Sequence, residues 1–126
     1  MSERIDVLVV DDSPTVARSV DRQLRGSCEV RLAGCVSDAL ALMDDHAPDV
    51  VLCDYQLGDD SGVELLEKVA QRHPDVRRVL YSGYELDQWR PLVDDGTVHA
   101  VLSKPWNLGD LFVALGLPIP GTIPPL

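Results

Sequence analysis

Short apolar runs alternate with amphipathic stretches along this chain, and several of the runs stop at a polar residue. Ile5-Asp6-Val7-Leu8-Val9-Val10 is β-branched and apolar, short enough for a strand buried on both faces, and it halts at Asp11-Asp12. Ser13 suits an N-cap and Pro14 the first helical position. Val16, Val20 and Leu24, four residues apart, predict a helix to about Arg25, closed by Gly26. Cys28 to Ala33 reads as a second strand, and Ser37 as the cap of a helix presenting Ala39, Leu40 and Met43 until His46-Ala47-Pro48. The run Val50-Val51-Leu52-Cys53 again ends in a carboxylate, Asp54. After the loop Gly58 to Gly62, Ser61 and Glu64 have capping-box spacing and Val63, Leu66 and Val69 supply an apolar face. A fourth strand spans Val76 to Tyr81 and ends at Ser82-Gly83. Glu85 to Asp95 is a weaker helical segment, with Trp89 and Val93 in phase and Pro91 interrupting. Val98 to Ser103 is a fifth strand before Lys104-Pro105, and a last helix covers about Leu108 to Leu115.

Five strands alternating with five helices through short connections predict an α/β fold. Each parallel return needs a right-handed crossover, so the sheet is parallel and covered on both faces. The last nine residues, Pro118 to Leu126, hold four prolines and are expected to be an extended tail or the stub of a linker.

Polar residues stand where the apolar strands end: Asp11 and Asp12, Asp54, Ser82 and Lys104. Ligands of an open parallel sheet bind outside the carboxyl ends of its strands, where strand order reverses. With the order 2-1-3-4-5, strands one and three are neighbours there, and Asp11, Asp12 and Asp54 meet in one cleft. Three carboxylates about 4 Å apart repel by about 4 kcal/mol per pair at an effective dielectric of 20. A hard divalent cation relieves this, and Mg²⁺ is the obvious one. A lysine and a hydroxyl beside such an ion suit a phosphoryl group, and a carboxylate in that setting can itself be the nucleophile.

Composition narrows the alternatives. The 126 residues suit one domain, and 21 acidic against 11 basic residues leave a net charge of −10. Such a surface repels phosphate backbones and anionic lipid, which argues against nucleic-acid and membrane partners. No apolar run approaches the ~20 residues of a membrane span, and the start shows no signal-peptide pattern, so a cytoplasmic location is expected. Cys28, Cys35 and Cys53 form no CxxC and are read as free thiols. His46, His73 and His99 lack ligand spacing, which leaves no structural zinc site.

Asp11-Asp12 after strand one, Asp54 after strand three, Ser82 after strand four and Lys104-Pro105 after strand five resemble the receiver domain of two-component response regulators, over about residues 4–116. The resemblance implies a flavodoxin-like (βα)5 three-layer sandwich, with residues 1–116 as the receiver and 117–126 as tail or linker. It implies Asp54 as phosphoacceptor. Asp12 would bind Mg²⁺ directly, Asp11 mainly through water, and Asp54 and the backbone carbonyl of Gln56 would complete the protein ligands. Ser82 and Lys104 would hold phosphoryl oxygens, and the peptide before Pro105 would be cis. The implied partners are a histidine kinase or phosphotransfer protein and an unnamed downstream protein, with a homodimer as one form the module could take. Its chemistry would be limited to its own phosphorylation and slow dephosphorylation. Gln56 and Tyr84, each two residues past a site residue, are expected to set water access and so the lifetime of the phosphoryl group.

One position departs from the pattern. Receivers usually carry Tyr or Phe three residues before the lysine, and here it is Val101, with Tyr84 or Trp106 as candidates to take its place. The same residues are also compatible with a receiver-like scaffold that acts without phosphorylation, and with a Mg²⁺-dependent phosphohydrolase. The latter needs a second acid two residues after its nucleophile, where this chain has Gln56. No GxGxxG follows strand one, which excludes a dinucleotide site. No output domain fits after Leu115, so the expectation is a stand-alone receiver or a fragment cut at its linker.

Overall fold

The computed structural model describes residues 4–58, 60–83, 86–104 and 106–117. Tyr84, Pro105 with its preceding peptide, and the proline-rich residues 118–126 lie outside the described residues.

Among the described residues, seven strands and five α-helices run in the order β1 (Ile5–Val10), α1 (Pro14–Leu24), β2 (Cys28–Ala33), α2 (Val36–Asp45), β3 (Val50–Asp54), β4 (Gln56–Leu57), β5 (Asp60–Ser61), α3 (Gly62–Arg72), β6 (Arg77–Ser82), α4 (Arg90–Asp94), β7 (Ala100–Ser103) and α5 (Leu108–Leu115), with a 3₁₀ turn at Leu86–Trp89 before α4. The five longer strands form a parallel sheet ordered β2-β1-β3-β6-β7. This is the expected 2-1-3-4-5 order, and it makes β1 and β3 neighbours where the order reverses. β4 and β5 are a small antiparallel ladder at the end of β3, pairing Gln56 with Ser61 and Leu57 with Asp60.

Alternation along the strands builds two cores. Leu8, Val10, Val51, Cys53 and Leu80 face α2, α3 and the Trp89 turn. Val7, Val9, Leu52, Val79, Tyr81 and Leu102 face α1 and α5. Burial on both sides explains why β1 and β3 read as continuous apolar runs rather than alternating ones.

Local details depart from the sequence reading. α2 begins one residue before Ser37, with Cys35 at the cap position and no side-chain capping bond. The Ser37 hydroxyl instead lies 3.4 Å from Cys35 Sγ. Ser61 does cap α3, but its hydroxyl accepts from Val63 N rather than from the third turn position. Pro91 sits in the first turn of α4, where a missing N–H is no loss, so it opens that helix instead of interrupting it. β6 extends one residue further than expected and ends on Ser82 itself, paired in register with Ser103.

At the opposite end of β6, Arg78 is buried, only 6% exposed, and is paired with carbonyls rather than a carboxylate. Its guanidinium donates to Thr97 O at 2.9 Å, Val76 O at 3.0 Å, Gly96 O at 3.1 Å and Pro74 O at 3.2 Å. This ties the α3–β6 and α4–β7 loops to one strand end. Its backbone N–H donates to His99 Nδ1 at 2.9 Å.

Candidate functional site

The C-terminal ends of β1, β3, β6 and β7 bring the predicted residues together. One carboxylate oxygen from each of Asp11, Asp12 and Asp54 lies within 4.8 Å of the others. An open cleft of about 220 Å³ beside them is lined by Asp12, Asp54, Tyr55, Gln56, Ser82 and Lys104 among others. Asp12 is exposed and Asp11 is buried beneath it.

Each acid is aimed by a specific donor. Ser13 N, at the cap position just before α1, donates to Asp11 Oδ1 at 2.8 Å and so holds that carboxylate. Gly58 N, from the turn between β4 and β5, donates to Asp12 Oδ2 at 2.9 Å. Gln56 N reaches Asp54 Oδ1 at 3.3 Å, and Lys104 Nζ donates to Asp54 Oδ2 at 3.2 Å. The Lys104 backbone N–H is itself fixed to Ser82 O at 2.9 Å. Burial raises the Asp54 carboxyl above the ordinary aspartate range, and the hydrogen bond and charge of Lys104 work against that rise.

Two residues of this site carried no signal in the sequence. Gly62 presses on the Asp54 backbone: a Cβ there would meet Asp54 O at 2.0 Å. In the sequence Tyr81 is simply the last residue of a strand. It is fully buried, pairs in register with Asp54, and donates its hydroxyl to Asp11 Oδ2. Its ring lies 5.0 Å from Lys104 Nζ and edge-on to Trp106, centroids 5.2 Å apart. Burial, reinforced by the bond to Asp11, pushes the phenol far up, so it stays a donor. Trp106 in turn donates to Gln23 Oε1 of α1 at 3.3 Å.

Val101 packs against the α2–α3 core, whereas Trp106 belongs to the α1–α5 core on the other face of the sheet, so Trp106 does not fill the space beside Val101. On the Val101 side, Tyr55, next to Asp54, packs on Trp89 with ring centroids 4.6 Å apart and planes inclined at 48°. Cys53, also beside Asp54, is a buried thiol whose Sγ lies 3.2 Å from Asp54 O, and burial raises it well above the ordinary cysteine value.

The donor set fits a hard divalent cation. It consists of carboxylate oxygens with no sulfur or imidazole, converging to within a few ångströms, with Asp12 and Asp54 open to the cleft. Among the described residues, no helix is long and apolar enough to cross a membrane.

A family model for the response regulator receiver domain matches residues 7–116. The hydrogenase transcriptional regulatory protein HoxA of Bradyrhizobium diazoefficiens is 32% identical over 108 residues, covering 85% of this chain and 22% of that protein. The response regulator GacA of Pseudomonas aeruginosa is 36% identical over 114 residues, covering 88% of this chain and 53% of that protein. The chain therefore spans about a fifth to a half of the length of these curated relatives. A CheY-like response regulator receiver domain protein from Methanospirillum hungatei superposes with a TM-score of 0.81 at 26% identity, covering 90% of this chain and 92% of that one.

Proposed function

The chain belongs to the response regulator receiver domain family, the phosphorylation-controlled modules of two-component signalling, and from that premise we propose that Asp54 is its phosphoacceptor. The supporting observation is convergence: oxygens of three acids within 4.8 Å of one another, with the Lys104 ammonium on Asp54. The donor is a phosphohistidine of a kinase or phosphotransfer protein. One Asp54 oxygen attacks phosphorus, the P–O bond forms as the P–N bond breaks, and the imidazole leaves with the electron pair and takes up a proton.

Asp12, Asp54 and the Gln56 carbonyl would hold Mg²⁺, with Asp11 behind them. Bound there, the ion neutralises charge on the transferring phosphoryl oxygens. Lys104 keeps the Asp54 carboxylate oriented and then pairs with a phosphoryl oxygen. Ser82, at the last register position of β6, donates to another. The chain's catalysis is confined to its own labelling and hydrolysis. The added charge draws Ser82 and Lys104 inward and biases the segments after β6 and β7 for a downstream protein. Full switching from 1:99 to 99:1 would need about 5.5 kcal/mol of differential stabilisation. Residues 1–116 form the receiver in this reading, with 117–126 as tail or linker.

Intact-mass measurement after incubation with Mg²⁺ and a small acyl-phosphate donor tests the assignment. Wild type should gain one phosphoryl mass and Asp54→Asn none. Equal labelling of the two would place the acceptor elsewhere.

A further inference from the structure

Tyr81 sits where the chemistry needs nothing but a strand residue, yet its side chain engages two charged groups of the site. From β6 it passes beneath the end of β3 to reach Asp11 at the end of β1. Asp11 is 2% exposed, and both of its oxygens are engaged: Ser13 N holds Oδ1 and the Tyr81 hydroxyl holds Oδ2. With one of those bonds gone, an aspartate carboxylate can turn about its last side-chain torsion, which is broad and only weakly restrained. The same ring presents its face to Lys104, 5.0 Å from the ammonium, within cation–π range. It is fixed in its turn by edge-on contact with Trp106, which α1 holds through Gln23.

We propose that Tyr81 is a positioning residue of the cation site: its hydroxyl sets the orientation of Asp11, and its ring sets the place of Lys104. The inference rests on reading Asp11, Asp12 and Asp54 as that site. The two halves of the side chain act on different groups and can be separated by substitution. Partners that orient metal-binding groups typically change affinity by about 10- to 100-fold when removed. Tyr81→Phe removes the hydroxyl and keeps the ring. It should therefore weaken Mg²⁺ binding by roughly tenfold. Its labelling rate at saturating Mg²⁺ should stay near wild type, because Lys104 keeps its platform. Tyr81→Leu removes both halves and should also slow labelling when Mg²⁺ saturates.

The experiment is calorimetric titration of each folded protein with Mg²⁺ alone, followed by intact-mass labelling rates at saturating Mg²⁺. Weaker binding by Tyr81→Phe with an unchanged saturated rate supports the inference. Equal Mg²⁺ affinity in wild type and Tyr81→Phe overturns it and leaves the cation site intact. So does a parallel fall in affinity and saturated rate, which marks a general packing defect. Wild type that takes up no Mg²⁺ overturns the underlying reading along with the inference. Tyr81→Phe is nearly isosteric, so the decision does not depend on how well Tyr81→Leu folds.

Discussion

A methyl group on Gly62 would lie 2.0 Å from the carbonyl oxygen of Asp54. The start of α3 is thus seated directly on the Asp54 backbone, and Gly62 N donates to Tyr55 O at 2.6 Å in the same contact. The glycine is required by close approach and not by backbone dihedral, since its φ is not positive.

Gly62→Ala must push α3 or the end of β3 aside. Overpacking commonly costs 1–3 kcal/mol, and contact with main chain leaves little room for relief, so a loss of about 3 kcal/mol is expected. Gly26→Ala is the control, because a Cβ at Gly26 meets nothing within 4 Å. That change should stay within about 0.5 kcal/mol. Urea midpoints of the two variants check this, and similar midpoints would remove the steric account.

Lys104→Met keeps the side-chain stem and deletes the ammonium that lies 3.2 Å from Asp54 Oδ2. A cation removed from beside an acidic cluster lessens the repulsion felt by a divalent ion. Mg²⁺ should bind more tightly by about 1 kcal/mol, roughly fivefold. Labelling should nevertheless slow by roughly 100-fold, since one charge-stabilising donor is lost. Calorimetry and intact mass read the two effects separately, and weaker Mg²⁺ binding would contradict the electrostatic argument.

His99 gives the protein an acid-side slope. Partial burial, with Arg78 and Arg77 nearby, lowers its pKa, and Nδ1 already accepts the Arg78 N–H. The folded state therefore favours the neutral ring. As pH falls through the unfolded value of about 6.5, the unfolded chain takes up a proton that the fold resists, and stability declines until the lowered folded pKa is passed. His99→Asn keeps an acceptor near the Nδ1 position and cannot titrate. Its stability relative to wild type should improve between about pH 7.5 and 5.5 and stay level above that window. His99 is an exposed residue whose burial is only partial, so the slope is small. Paired urea titrations at the two pH values measure it, and parallel curves would remove His99 as its source.

Arg78→Met leaves four carbonyls without their shared donor. A loss of about 2 kcal/mol is expected, since the Val76 carbonyl is left buried without a donor and the other three are only part-buried. Faster amide exchange should be confined to the two tied loops, around residues 74–76 and 96–98. Uniform acceleration across the sheet would argue against a local clamp.

The site was legible because its residues break a rule: Asp11, Asp12, Asp54 and Lys104 put charge where apolar strands end, and strand alternation then brings those ends together. Gly62 was hidden because a glycine in a loop looks the same whether it supplies a turn or an approach. Tyr81 was hidden because an aromatic at a strand end is ordinary core material until the fold shows what its hydroxyl meets. Pro91 misled in the opposite way: a proline in a helical pattern reads as a break, and only the preceding 3₁₀ turn at Leu86–Trp89 makes it a beginning.

Each of the two tryptophans lies against a tyrosine that adjoins the acidic cleft, and they do so on opposite faces of the sheet: Trp89 through Tyr55, Trp106 through Tyr81. The molecule thus carries a pair of built-in optical reporters. Retaining one indole at a time would let emission spectra follow the same chemical event separately in its two hemispheres.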